Sequence, residues 1–113
     1  MDDCLFCKIA RGAIPAALVH DGPEAVAFRD INPQAPTHIL VVPRRHVASL
    51  HDAAADPALL GTLLATAREV AAGAGLGEGG YRVVVNTGPD AGQSVAHLHL
   101  HVLGGRSLGW PPG

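Results

Sequence analysis

The sequence predicts an α+β fold: a roughly five-stranded antiparallel sheet, one long helix on a face, and a short N-terminal helix. Three observations carry this. Five short apolar runs are separated by glycine, proline and Asp/Asn turn residues, one later stretch repeats leucine and alanine at three- and four-residue steps, and the connections are mostly short. At 113 residues the chain has room for one core, so residues 1–113 are expected to form a single domain.

Leu5 to Ala10 is expected to make a helical turn or two before Gly12 and Pro15. Ala17–His20 and Ala25–Phe28 read as strands of a hairpin, with Asp21-Gly22-Pro23 supplying the turn. Asp30 to Pro36 holds two prolines and an asparagine and is a rigid loop. His38–Val42 is a β-branched run whose pairing Pro43 limits. Asp56-Pro57 has the form of a helix start, with aspartate as N-cap and proline in the first turn. Leu59, Leu60, Leu63, Leu64, Ala67, Val70 and Ala71 then form one apolar face, which glycines from Gly73 onward end. Tyr81–Val85 and Val95–Leu103 are the last strands, joined by a loop over Gly88–Gly92. Gly104 to Gly113 is too rich in glycine and proline for regular structure.

Composition narrows function. Hydrophobic residues make up 48% and aromatics only 4%, so the core is aliphatic. A net charge of −2, with Arg44-Arg45 the only adjacent basic pair, gives no field to recruit a nucleic-acid polymer or an anionic membrane. No stretch approaches the ~20 apolar residues of a membrane span. The start, Met1-Asp2-Asp3, lacks the basic and apolar segments of a signal peptide, so a cytoplasmic location is expected.

The chemistry concentrates in His97-Leu98-His99-Leu100-His101. On a strand with a side-chain period of two, the three imidazoles share one face while Leu98, Leu100 and Val102 face a core. That pattern admits metal chelation, nucleophilic or acid–base catalysis, or a plain polar face. Gly92-Gln93-Ser94-Val95 precedes it, and amides of a glycine-containing loop beside a row of imidazoles suit a phosphate. There is no acidic cluster beside the histidines to hold Mg²⁺, so imidazole and amide groups are expected to act without a catalytic metal. The only cysteines, Cys4 and Cys7, form a Cys-x-x-Cys. In a reducing compartment this pair is open to three readings: zinc binding with two further ligands, redox activity, or free thiols.

His-Leu-His-Leu-His-Val-Leu matches the His-φ-His-φ-His-φ-φ signature of the histidine-triad (HIT) superfamily. The stretch from Gly92 through Gly104-Gly105-Arg106 to Trp110-Pro111-Pro112-Gly113 resembles its histidine-triad nucleotide-binding branch. Asp30 to His38, Tyr81 to Asn86 and Phe6-Cys7-Lys8-Ile9 fit the same branch. The resemblance implies that His99 attacks the α-phosphorus of a nucleotide, forming a covalent nucleotidyl-histidine that water then hydrolyses. It implies that His101 and the backbone at Ser94-Val95 stabilise the phosphoryl oxygens, that Asn86 and Gly92 add contacts, and that Ser94 assists the leaving group. His38 would lie near His99 and orient it. Asp30 would take the ribose hydroxyls, and Phe6, Ile9, Phe28 and Ile31 would wall the base, although such apolar residues are more often ordinary core. Bacterial members carrying the cysteine pair bind structural zinc with two histidines, here His46 and His97 beside Cys4 and Cys7. The family forms homodimers, with helix 57–76 and a neighbouring strand as the implied surface, and its C-terminal segment approaches the partner's site.

The leading expectation is therefore a homodimeric purine-nucleoside phosphoramidase that cleaves a P–N bond to give AMP or GMP. The rivals are a dinucleoside polyphosphate hydrolase, which the tail disfavours, and a nucleotide-binding adaptor whose turnover is incidental.

Overall fold

The computed structural model describes residues 3–53 and 56–113; the Met1-Asp2 start, read above as no signal sequence, lies outside them. Helix α1 (Leu5–Ala10) is followed by strands β1 (Leu18–Asp21), β2 (Ala25–Arg29) and β3 (Thr37–Pro43). Helix α2 (Pro57–Gly73) comes next, then β4 (Tyr81–Val84) and β5 (Leu100–Gly104). The strands form one antiparallel sheet in the order β1-β2-β3-β5-β4. The expected α+β architecture is present, with β1 and β4 as its edges. No helix among the described residues is long and apolar enough to cross a membrane.

Alternation along the strands divides the apolar residues between two faces. Ala25, Ala27, Ile39, Val41, Leu100 and Val102 pack with Leu59, Leu63, Ala67, Val70 and Ala71 of α2. On the opposite face Val26, Phe28, Leu40 and Val42 pack with Phe6, Ile9 and Ala10 of α1. A six-residue helix is too short to persist alone, so this burial holds α1 in place. Helix α2 begins as its sequence indicates: the Asp56 carboxylate accepts from the Leu59 amide at 3.0 Å, and Pro57 occupies the first turn. Arg45 pairs with Asp56 and, with the Leu59 amide, holds its carboxyl below the ordinary range.

Two expectations need correction. Leu64 is 57% exposed, because the stripe that reaches the sheet runs through Leu59, Leu63, Ala67 and Val70, leaving Leu64 on its flank. The buried position that the pattern missed is Thr66, whose hydroxyl donates to the Thr62 carbonyl at 2.8 Å.

The strand expected over Val95–Leu103 also starts late, at Leu100. Its last partner on β3 is Val41. Beyond it the backbone groups go elsewhere: the Leu98 amide donates to Val47 and the His97 carbonyl accepts from the His99 ring. Pro43 has no amide to offer the ladder. The alternation nevertheless continues, with Leu98 buried on the α2 side.

Candidate active site and metal centre

The site lies on the α1 face. In the β3–β5 register His38 stands opposite Leu103 and Leu40 opposite His101, so His38, Leu40 and His101 share that face. Phe6 of α1 meets the His97 and His99 rings edge-on, with centroids 5.9 and 5.1 Å away. His99 and His101 lie 5.1 Å apart by the same measure.

Partner geometry fixes the proton on each ring. The Gln34 amide donates to His38 Nδ1 at 3.0 Å, so neutral His38 carries its proton on Nε2. That nitrogen donates to His101 Nδ1 at 2.8 Å, which leaves the His101 proton on Nε2. Asp30 lies 3.5 Å from the same His38 nitrogen. Separately, His99 Nδ1 donates to the His97 carbonyl at 2.7 Å. His99 Nε2 is therefore the nitrogen with a free lone pair, beside His101 Nε2–H as a donor.

Burial favours the neutral forms of His38 and His101. It lowers the His38 pKa against the opposing pull of Asp30, so the Asp30 contact is not an ion pair at neutral pH. Burial, with His99 and His38 adding to it, brings His101 down to about 4. The sign of the pH effect follows. An unfolded His101 binds a proton below about pH 6.5 while the folded one refuses it until about pH 4. Its contribution to stability is therefore complete above pH 6.5 and is lost as the pH falls toward 4. The thermal midpoint should drop over that window, and His101→Gln should flatten the slope; a wild-type midpoint unchanged from pH 7 to 4.5 would contradict this.

The cleft beside these rings has a volume of about 360 Å³. It is lined by Phe6, Ile9, Phe28, Asp30, Ile31, Ser94, Val95, His99 and His101, all expected at a nucleotide site. Phe6, Ile9 and Phe28 are at once core and cleft wall, whereas Ile31 is 101% exposed and serves the wall alone. Asp30 Oδ1 accepts from the Asn32 amide at 2.8 Å, which holds its carboxylate at the rim. Three expected residues lie outside this lining. His38 stands behind His101 and bonds to that ring, so its influence on His99 passes through His101. Asn86 and Gly92 are not in the lining. Gly92, at φ 77°, instead ends the short 3₁₀ turn Pro89–Ala91 that leads to Ser94.

Sequence reasoning missed Gln93 and Gln34. The Gln93 side chain accepts from the Gly88 amide and donates to the Ala48 and Val95 carbonyls, at 2.8–3.0 Å, tying the Ser94 loop to the chain after β3. Gln34 acts through its main-chain amide, which no side-chain pattern reports.

Behind the cleft, Cys4, Cys7, His46 and His97 bring one ligand atom each to within 4.8 Å of one another. His97 is fully buried, and its Nε2 donates to the Pro43 carbonyl at 2.8 Å, turning the Nδ1 lone pair toward the thiols. Nδ1 lies 3.3 Å from Cys4 Sγ and 3.5 Å from Cys7 Sγ, and His46 Nδ1 lies 3.3 Å from Cys7 Sγ. Ligands around tetrahedral zinc stand roughly 3.3–3.8 Å apart, so two thiols and two imidazoles at these distances fit that ion. Burial and the adjoining Cys4 push the Cys7 thiol up. A bound cation reverses that preference, since a coordinating thiol is deprotonated.

Residues 11–108 match the HIT domain family. An uncharacterized HIT-like protein of Synechococcus elongatus is 56% identical over 99% of this chain and 98% of its own. A 14 kDa zinc-binding protein of Zea mays is 49% identical over 96% of this chain and 87% of its own. Among solved structures, a HIT family hydrolase from Legionella pneumophila superposes with a TM-score of 0.95 at 51% identity, covering 98% of this chain and 100% of that one. A Zn-bound histidine triad family protein from Mycobacterium smegmatis gives 0.84 at 32%, covering 93% and 76%. A histidine triad nucleotide-binding protein from Candida albicans gives 0.83 at 33%, covering 96% and 83%.

Proposed function

The chain belongs to the HIT domain family and resembles its hydrolases, and on that premise we propose that it is a purine-nucleoside phosphoramidase. The observation that carries the reading is the His99 ring: Nδ1 is held by the His97 carbonyl and Nε2 is left as the nucleophile in an apolar-walled cleft. The base enters between Phe6, Ile9, Phe28 and Ile31, and the ribose hydroxyls bond to Asp30.

His99 Nε2 attacks the α-phosphorus and the P–N bond breaks, its electron pair leaving with the amine. The amine takes up a proton from solvent water, relayed by the Ser94 hydroxyl, and the later attacking water returns one proton to solvent. His101 Nε2–H donates to a phosphoryl oxygen, the direction that its bond from His38 imposes. Water then attacks the nucleotidyl-imidazole, releasing AMP or GMP and restoring the ring. Each of these groups belongs to the protein, so added Mg²⁺ is expected to leave the rate unchanged.

Cys4, Cys7, His46 and His97 would hold zinc in a structural role. A bound ion would fix the start of α1 to the chain after β3 and to the triad segment. A homodimer completes the proposal. Strand β4 is a sheet edge, and Leu64 on α2, Tyr81 on β4 and the 81% exposed Trp110 offer apolar surface to a second copy. Sedimentation at twice the 11.6 kDa chain mass is expected.

A panel of adenosine and guanosine phosphoramidates beside diadenosine polyphosphates tests the activity. The phosphoramidates should be hydrolysed to AMP and GMP at least about tenfold more efficiently, a margin of about 1.4 kcal/mol. A preference for the polyphosphates would transfer the assignment to the rival hydrolase.

A further inference from the structure

The two centres share one short helix. Cys4 is the N-cap of α1 and Cys7 lies within its first turn, with the Cys7 amide donating to Cys4 Sγ at 3.4 Å. Between and beyond them on the same helix stand Phe6 and Ile9, two walls of the cleft. Phe6 also rests on the His97 and His99 rings, so the position of α1 sets both the base wall and the face against which His99 packs. Six helical residues supply little stability themselves, and α1 packs on β2 and β3 through Phe6, Ile9 and Ala10. Its attachment thus depends on its few buried side chains and on its two cysteines.

We infer that Cys4 and Cys7 are a thiol oxidation site whose conversion to a disulfide releases the metal and loosens the α1 wall of the nucleotide cleft. This rests on the zinc and nucleotide readings above. Both cysteines are half-buried, and their sulfurs already lie within 4.8 Å of each other. With a hydroperoxide as oxidant, the two thiolates lose two electrons and join at about 2.05 Å. The peroxide O–O bond takes those electrons and two protons, giving water and an alcohol, or two waters from hydrogen peroxide. Sulfurs bound to each other no longer hold His46 and His97 through the ion, and the cation leaves. The His99 tautomer survives, because its Nδ1 bond goes to backbone. Oxidation should therefore act on nucleotide affinity more than on the chemical step.

The experiment treats the reduced, zinc-loaded protein with hydrogen peroxide and follows released zinc, free thiols, amide exchange over residues 5–10, and affinity for AMP. One zinc and two thiols should be lost together, α1 amides should lose protection, and the Kd for AMP should rise about tenfold. Thiol reduction with added zinc should restore all four. Cys4→Ser, which loses a zinc ligand and cannot form the disulfide, should show the α1 exchange of the zinc-free protein both before and after peroxide. Oxidised, zinc-free protein that keeps both α1 protection and AMP affinity would overturn the inference. If the reduced protein binds no AMP yet α1 loses protection on oxidation, the nucleotide reading fails and the oxidation site stands.

Discussion

Replacing His99 with alanine should lower AMP release from adenosine phosphoramidate by at least about a thousandfold, since it removes the nucleophile itself. The folded state should survive, because the change deletes one ring and a single local bond to the His97 carbonyl. AMP binding should remain measurable, as the base walls and Asp30 are untouched. Single-turnover assays beside calorimetric titration separate these effects. Loss of binding in parallel with loss of turnover would mean that His99 holds the nucleotide rather than reacting with it. Covalent capture sharpens the test: brief reaction and acid quench of wild type should leave nucleotide on His99, and none on the variant.

The second large effect concerns stability. Removing zinc with a strong chelator should lower the thermal midpoint by about 15 °C. A ligand present at a thousand times its Kd stabilises the folded state by about 4 kcal/mol, and in a domain of this size each kcal/mol shifts the midpoint by several degrees. The Cys4→Ser/Cys7→Ser protein should melt at the chelated wild-type temperature and respond to zinc no further. Scanning calorimetry with paired metal analysis reads both. A midpoint indifferent to the chelator, with one zinc lost, would leave the ion without a structural role.

The triad was legible because its meaning is local: alternate histidines against alternate leucines put chemistry on one face and core on the other. The cysteine pair was legible by spacing alone, whereas His46 and His38 came only from the family resemblance, since nothing near them marks either ring. The early end of the strand was not legible. It depends on where Val47 and Pro43 lie in space, and their carbonyls draw away the Leu98 amide and the His97 ring. Nor were the tautomers, because the proton on His101 is set two groups away by the Gln34 amide. Phe6, Ile9 and Phe28 defied a choice between core and binding wall because they are both.

The two apolar layers on opposite faces of the sheet bear on how such a protein diversifies. The α2 layer holds the larger cluster and is separate from the cleft-lining set, so most of the fold's resistance to unfolding is insulated from substrate choice. Within the cleft, residues differ in how freely they can vary. A change at Phe28 disturbs packing along with recognition, but Ile31 contributes to neither cluster. Selection for a new base therefore meets least resistance at Ile31 and its loop, and lineages of this fold should record their base preferences there first.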